Sequence, residues 1–123
     1  MSFVVLVIED DDDSREMLCA VLADAGYTVI AANDGLQAFK KMDEQPPNLI
    51  LLDIQMPVMD GWEFRTLQRR HSRFADIPVI GLTAVFDPLD VALKLGIRCL
   101  PKPLDIDGVL KEVAEAGPPG GGQ

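Results

Sequence analysis

In 123 residues the chain has one histidine, one tryptophan, one tyrosine and two cysteines, and its 11 lysines and arginines are outnumbered by 20 acids. Each scarcity excludes something. A net charge of −9 and a pI near 4.4 argue against a nucleic-acid surface, which needs a basic stripe, so no direct nucleic-acid partner is expected. Cys19 and Cys99 show no paired-motif spacing. The single histidine, His71, follows Arg69-Arg70 with nothing around it to supply a phosphate site, and reads as a solvated helix-end residue. No stretch approaches the roughly 18 consecutive apolar residues of a membrane span. The opening MSFVVLVIEDDDD lacks a basic start and has only six apolar residues in a row before its acids. A reduced, cytoplasmic protein with no membrane partner is expected.

What is present is ordinary globular composition, 48% apolar and 25% charged, in a length that fits one core. A single domain over residues 1–116 is expected, with GPPGGGQ at 117–123 as a flexible tail or the start of a linker. Strand-like and helix-like runs alternate. Residues 3–8 form a β-rich run, after which Leu18, Val21, Leu22 and Ala25 recur at helical spacing up to Gly26. A second strand is expected at 27–31, then Asp34-Gly35 and a helix ending before Glu44, where two prolines follow. Strands three, four and five are expected at 49–52, 77–82 and 97–100. Phe64 and Leu67 suggest the third helix; Val91, Ala92 and Leu95, after Asp87-Pro88, suggest a weak fourth. Asp105 is expected to cap a fifth helix whose stripe is Ile106, Val109, Leu110 and Val113. Five strand-helix repeats in this length imply an α/β fold, a parallel sheet covered on both faces, since parallel neighbours need crossovers.

The stretch LILLDIQMPVMDGWEF at 49–64 raises the sharpest question. Its first four residues have the character of a strand buried on both faces, so Asp53 falls where the chain leaves the sheet. Aspartate also favours such exits for local reasons, as a cap or turn residue. Its meaning therefore depends on the other strand ends. These carry Glu9-Asp10 after strand one, Thr83-Ala84 after strand four and Lys102-Pro103 after strand five. Ligands of such sheets bind beyond the carboxyl ends of the strands, so acids, a hydroxyl and an ammonium face one crevice. Carboxylates brought within several ångströms repel one another, and a proton or a cation must compensate. Magnesium, which takes oxygen ligands and bridges carboxylates to phosphate, is the natural cation.

Ile8-Glu9-Asp10-Asp11, DIQMPVMDG at 53–61, Leu82-Thr83-Ala84 and Lys102-Pro103, in this order and each at a strand end, resemble the response-regulator receiver domain of two-component signalling. The resemblance covers residues 3–116. It implies a flavodoxin-like, doubly wound five-stranded parallel sheet of order 2-1-3-4-5 with helices on both faces. It implies that Asp10 and Asp53 bind Mg2+ directly with the backbone carbonyl of Gln55, while Glu9 acts mainly through a water. Asp53 is then the phosphoacceptor nucleophile, Lys102 pairs with the phosphoryl oxygens, and Thr83 donates its hydroxyl beside the small Ala84. By the same resemblance the Lys102-Pro103 bond is cis. A sensor histidine kinase or a histidine phosphotransfer protein is the implied phosphodonor, and a downstream protein that the sequence does not identify reads the switched surface. The implied protein is a signalling switch with self-catalysed phosphorylation and dephosphorylation, not a turnover enzyme.

Other features have plainer readings. Asp11, Asp12 and Asp13 suit the start of a helix, where negative charge meets the helix dipole. Met56, Met59 and Trp62 read as packing or loop-stabilising residues. Two departures from the family stand out. The stretch between Thr83 and Lys102 is a few residues short, so helix four and the loop before it are expected to be trimmed. Cys99 stands three before Lys102, where many relatives carry an aromatic switch residue, and reads as a small buried side chain. Two competing readings differ in class. A haloacid-dehalogenase-like phosphatase also uses a strand-end aspartate but wants a second one two residues later, where this chain has Gln55. A pseudo-receiver keeps the fold as a phosphorylation-independent binding module; loss of an acidic or lysine position would favour it, and all are present.

Overall fold

The computed structural model describes residues 2–56, 58–84 and 88–118. Among these, strands and helices alternate as β1 (Val4–Ile8), α1 (Asp12–Asp24), β2 (Thr28–Ala32), α2 (Gly35–Glu44), β3 (Leu49–Asp53), α3 (Gly61–Arg70), β4 (Val79–Thr83), α4 (Pro88–Leu95), β5 (Arg98–Pro101) and α5 (Ile106–Ala116). Every pairing is parallel and the order is β2-β1-β3-β4-β5. This is the doubly wound sheet that the alternation of elements requires.

Burial follows position in the sheet. The three central strands, VVLVI, LILLD and VIGLT, are buried at every residue, whereas the edge strands β2 and β5 are only partly covered. Alternate side chains feed two cores. On one face Leu6, Ile8, Ile50 and Leu52 pack with Ala38, Met42, Phe64, Val91 and Leu95 of α2, α3 and α4. On the other, Val5, Val7, Leu49 and Leu51 pack with Leu18, Leu22, Val109 and Val113 of α1 and α5. Each fully buried Leu, Ile or Phe stabilises the fold by about 1.5–3 kcal/mol relative to exposure.

Several strands start later than expected, for two reasons. Tyr27 and Ile97 belong to helix exits: after Gly26 (φ 103°) and Gly96 (φ 68°), their N–H groups donate back to Leu22 and Ala92. Pro78 has no N–H to give a ladder, and only its carbonyl is used, by Ile50 N–H at 3.0 Å. At the other side β3 and β4 each run one residue further, so Asp53 and Thr83 are the last residues of their strands.

Helix ends are set by aspartates and prolines. Asp11, Asp34 and Asp60 accept the N–H of Ser14, Gln37 and Glu63 at 2.9, 2.8 and 2.9 Å. Asp105, expected to do the same for α5, makes no side-chain cap bond; its backbone carbonyl accepts the Val109 N–H instead. α2 includes Glu44, one residue beyond the expected stop, because the proline at 46 forces only Gln45 out of the helix (φ −149°, ψ 99°). α4 is short, 8 residues, and starts at Pro88; Asp87 lies outside the described residues.

Three readings of side chains need correction. On α3, Leu67 is 44% exposed and Gln68 is the buried partner of Phe64; its amide donates to the carbonyls of Phe74 and Ile77, which holds the turn into β4. Trp62 is 39% exposed and lies outside the core, whereas Met56 and Met59 do join it, as expected. His71 is half-buried, because its ring stacks on Phe74 with centroids 4.1 Å apart. Among the described residues no helix is long and apolar enough to cross a membrane.

Candidate functional site

The carboxyl ends of β1, β3, β4 and β5 converge as the sheet order demands. Glu9 follows β1 and is tied to β2 by its N–H to Ala32 O at 3.1 Å. Asp53 ends β3, and Ile54 N–H reaches Leu82 O at 2.9 Å, so the β3 exit is locked to β4. Gly61 N–H returns to Ile54 O at 2.8 Å, which closes the loop that leads into α3. Gly61 is needed there: a Cβ would sit 2.7 Å from the Ile54 Cα. Lys102 N–H donates to Thr83 O at 2.8 Å, and the following bond to Pro103 is cis, as the resemblance implies.

Side chains then meet across these ends. One carboxylate oxygen each of Glu9, Asp10 and Asp53 lies within 4.8 Å of the others. Glu9 and Asp53 are buried, and Asp10 faces solvent. The Lys102 ammonium stands 3.2 Å from Glu9 Oε1 and 3.2 Å from Asp53 Oδ1. Thr83, fully buried, lies beside Gln55: the Gln55 Nε2 donates to Thr83 Oγ1 at 3.0 Å, and Oε1 accepts the Ala84 N–H at 3.1 Å.

The charges perturb one another. Burial, then a hydrogen bond and repulsion from Glu9, push the Asp53 carboxyl up to about 6, with Lys102 pulling the other way. Asp10 is raised by partial burial and by its contact with Asp53. Burial alone would lower Lys102, but Asp53 and Glu9 override it and hold the ammonium above its usual range. An acidic cluster of oxygen donors with one ammonium on its flank fits a hard divalent cation: the donor chemistry matches, and the buried carboxylates lack enough positive charge to neutralise them.

The sequence singled out Glu9, Asp10, Asp53, Thr83 and Lys102, and the fold brings all five together. Of Gln55 only the backbone carbonyl was expected to matter; its side chain bridges β3 to the end of β4. Arg15 was also missed. From the first turns of α1 its guanidinium donates to Glu9 O at 3.0 Å and pairs with Asp12, which braces the turn that carries the acids. An arginine a turn into a helix after an acidic run is the only signal the sequence offers for this.

Comparisons with known proteins agree with this geometry. Residues 5–114 match the family described as the response regulator receiver domain. The transcriptional regulatory protein ZraR of Klebsiella oxytoca is 41% identical over 115 residues, 91% of this chain and 26% of that protein. The solved structure of the Vibrio cholerae chemotaxis protein CheY4 superposes with a TM-score of 0.86 at 31% identity, covering 94% of this chain and 99% of that one. The receiver domain of the Pseudomonas aeruginosa sensor histidine kinase PA1611, solved with magnesium coordinated in its active site cleft, gives 0.83 at 27% identity over 94% of this chain and 97% of that one. The chain spans 10–39% of the length of curated relatives such as ZraR, sensor kinases and DNA-binding regulators. With its β2-β1-β3-β4-β5 sheet, its acidic cluster and these matches, the chain belongs to the response regulator receiver domain family, the signalling switches of two-component systems.

Proposed function

We propose that this receiver domain takes a phosphoryl group onto Asp53 from a phosphohistidine of a sensor kinase or phosphotransfer protein, in the cytoplasm, and thereby alters its surface for a downstream protein. The observation that carries the reading is the Lys102 ammonium, 3.2 Å from Asp53 Oδ1, on the flank of the Glu9, Asp10 and Asp53 cluster. A carboxylate oxygen of Asp53 attacks phosphorus, the P–N bond breaks, the histidine nitrogen leaves with the bonding pair and takes up a proton, and an acyl phosphate remains. Asp10, Asp53 and the Gln55 carbonyl would hold Mg2+, with Glu9 acting on it indirectly. When bound, the ion would supply the positive charge that offsets the carboxylates and lets an anionic donor approach. Lys102 pairs with one phosphoryl oxygen and Thr83 donates to another. The same groups promote hydrolysis of the acyl phosphate with an oriented water.

Acetyl phosphate plus magnesium is the direct test, read by intact mass spectrometry. One phosphoryl group is expected, labile to hydroxylamine and absent in Asp53→Asn or after chelation. Equal labelling of Asp53→Asn, or labelling unaffected by chelation, overturns the assignment. No labelling of the parent protein at all leaves the pseudo-receiver reading in its place.

A further inference from the structure

The chain is strongly acidic, yet four of its 11 lysines and arginines line one groove. Arg65, Arg69 and Arg70 of α3 and Lys94 of α4 border a groove of about 270 Å³ with Trp62 at one end, Leu95 at its side and no carboxylate among the lining residues. Its base is fixed by Arg65, whose Nε donates to Leu95 O at 3.3 Å and whose Nη1 donates to Gln68 Oε1 at 2.8 Å. Among the described residues Arg65, Arg69 and Arg70 make no ion pair, and Lys94 pairs only along its own helix with Asp90. Burial and then the charge of Arg69 press the Arg65 guanidinium below its usual range, a crowding that an anion in the groove relieves. Next to it Trp62, 39% exposed, and Leu67, 44% exposed, offer apolar surface in a second shallow groove that they line with Glu63 and Thr66.

We infer that this α3/α4 groove is a docking site for an acidic, amphipathic segment of a partner protein, with carboxylates on Arg69, Arg70 and Lys94 and an apolar side chain against Trp62 and Leu67. The two halves of the site argue for a protein. Aromatic and arginine side chains together anchor protein interfaces. A net charge of −9 disfavours a nucleic-acid backbone over the chain as a whole. None of the groove's lining residues belongs to the carboxylate cluster, and the inference does not rest on phosphoryl transfer.

Trp62 is the only tryptophan, so its emission reports the groove directly. The probe is a synthetic helical peptide with Glu on one flank and Leu on the other, titrated into the full unphosphorylated chain beside its Lys-for-Glu counterpart, a DNA duplex and phosphatidylglycerol vesicles. A saturable blue shift is expected with the acidic peptide alone, weakened by salt. Arg69→Gln with Arg70→Gln is expected to weaken it about fivefold, the worth of two exposed ion pairs. Circular dichroism checks that the double variant folds; if it does not, Lys94→Gln, expected to weaken binding about twofold, decides. No saturable shift, equal binding of the Lys peptide, unchanged affinity in the folded variant, or tighter binding of DNA or vesicles each overturns the inference.

Discussion

Asp53 is held away from its ordinary titration range by burial and by Glu9, and that has a sign. A carboxyl raised from 3.8 to about 6 binds its proton more tightly folded than unfolded, so its contribution to stability is full below the unfolded value and is lost as pH rises through the folded one. Metal-free protein is therefore expected to lose stability between about pH 4 and 6 through this group. Asp53→Asn should flatten that slope and be more stable at pH 7, by on the order of 1–3 kcal/mol. Thermal melts of both proteins across this range are the check, and superimposable profiles would contradict it. Gln55 gives a second residue-scale expectation. With Gln55→Ala, the Ala84 amide loses its acceptor at 3.1 Å, so its hydrogen exchange should accelerate about two- to tenfold while exchange in β3 stays unchanged. Asp53 was legible because a carboxylate ending an apolar run is visible in one dimension. The Gln55 side chain was not, because its partners lie 28 and 29 residues away and meet it only through the β3–β4 pairing.

At the scale of elements, alternation of apolar runs and helical stripes was enough to place every strand and helix, and the errors fall at their ends. Tyr27, Pro78 and Ile97 have strand-like or neutral character but are claimed by helix exits or lack a donor, a competition that propensity does not weigh. Gln68 takes the buried place beside Phe64 that the helical stripe gave to Leu67, because the turn into β4 offered two carbonyls that its amide satisfies. The missing aromatic at position 99 also has an element-scale setting. Cys99 is the register partner of Gly81 in β4, and a Cβ built on Gly81 would lie 2.7 Å from its Sγ. Gly81→Ala is expected to destabilise by about 1–3 kcal/mol through overpacking, and adding Cys99→Ala, which removes the sulfur, should recover part of it. Denaturant titrations of the four proteins of this cycle measure the coupling; additive effects would show that Ile54 and Ile97, each 3.2 Å from the same Cβ, set the limit instead.

For the whole molecule, the excess of acid is concentrated functionally by topology. Magnesium that binds only the folded cluster should raise the thermal midpoint, by on the order of 10 °C at about 100-fold over its dissociation constant. The gain should vanish in Asp10→Asn and in Asp53→Asn, measured by calorimetry at fixed ionic strength; a gain that survives both places the ion elsewhere. The net charge was legible from composition, but its placement was not. Every helix of a parallel sheet begins at the carboxyl rim, so the capping aspartates Asp11, Asp34 and Asp60 stand on the same rim as Glu9, Asp10 and Asp53. The caps that start the helices thus also fence the crevice, and in diffusional terms the fence rectifies traffic. On the phosphoryl transfer proposed above, small cations should be drawn in and anionic donors slowed until the cluster is neutralised, a bias that added salt should erode within a Debye length of about 8–10 Å. On that proposal, cation before phosphodonor is the order of arrival that the placement of the helix starts favours.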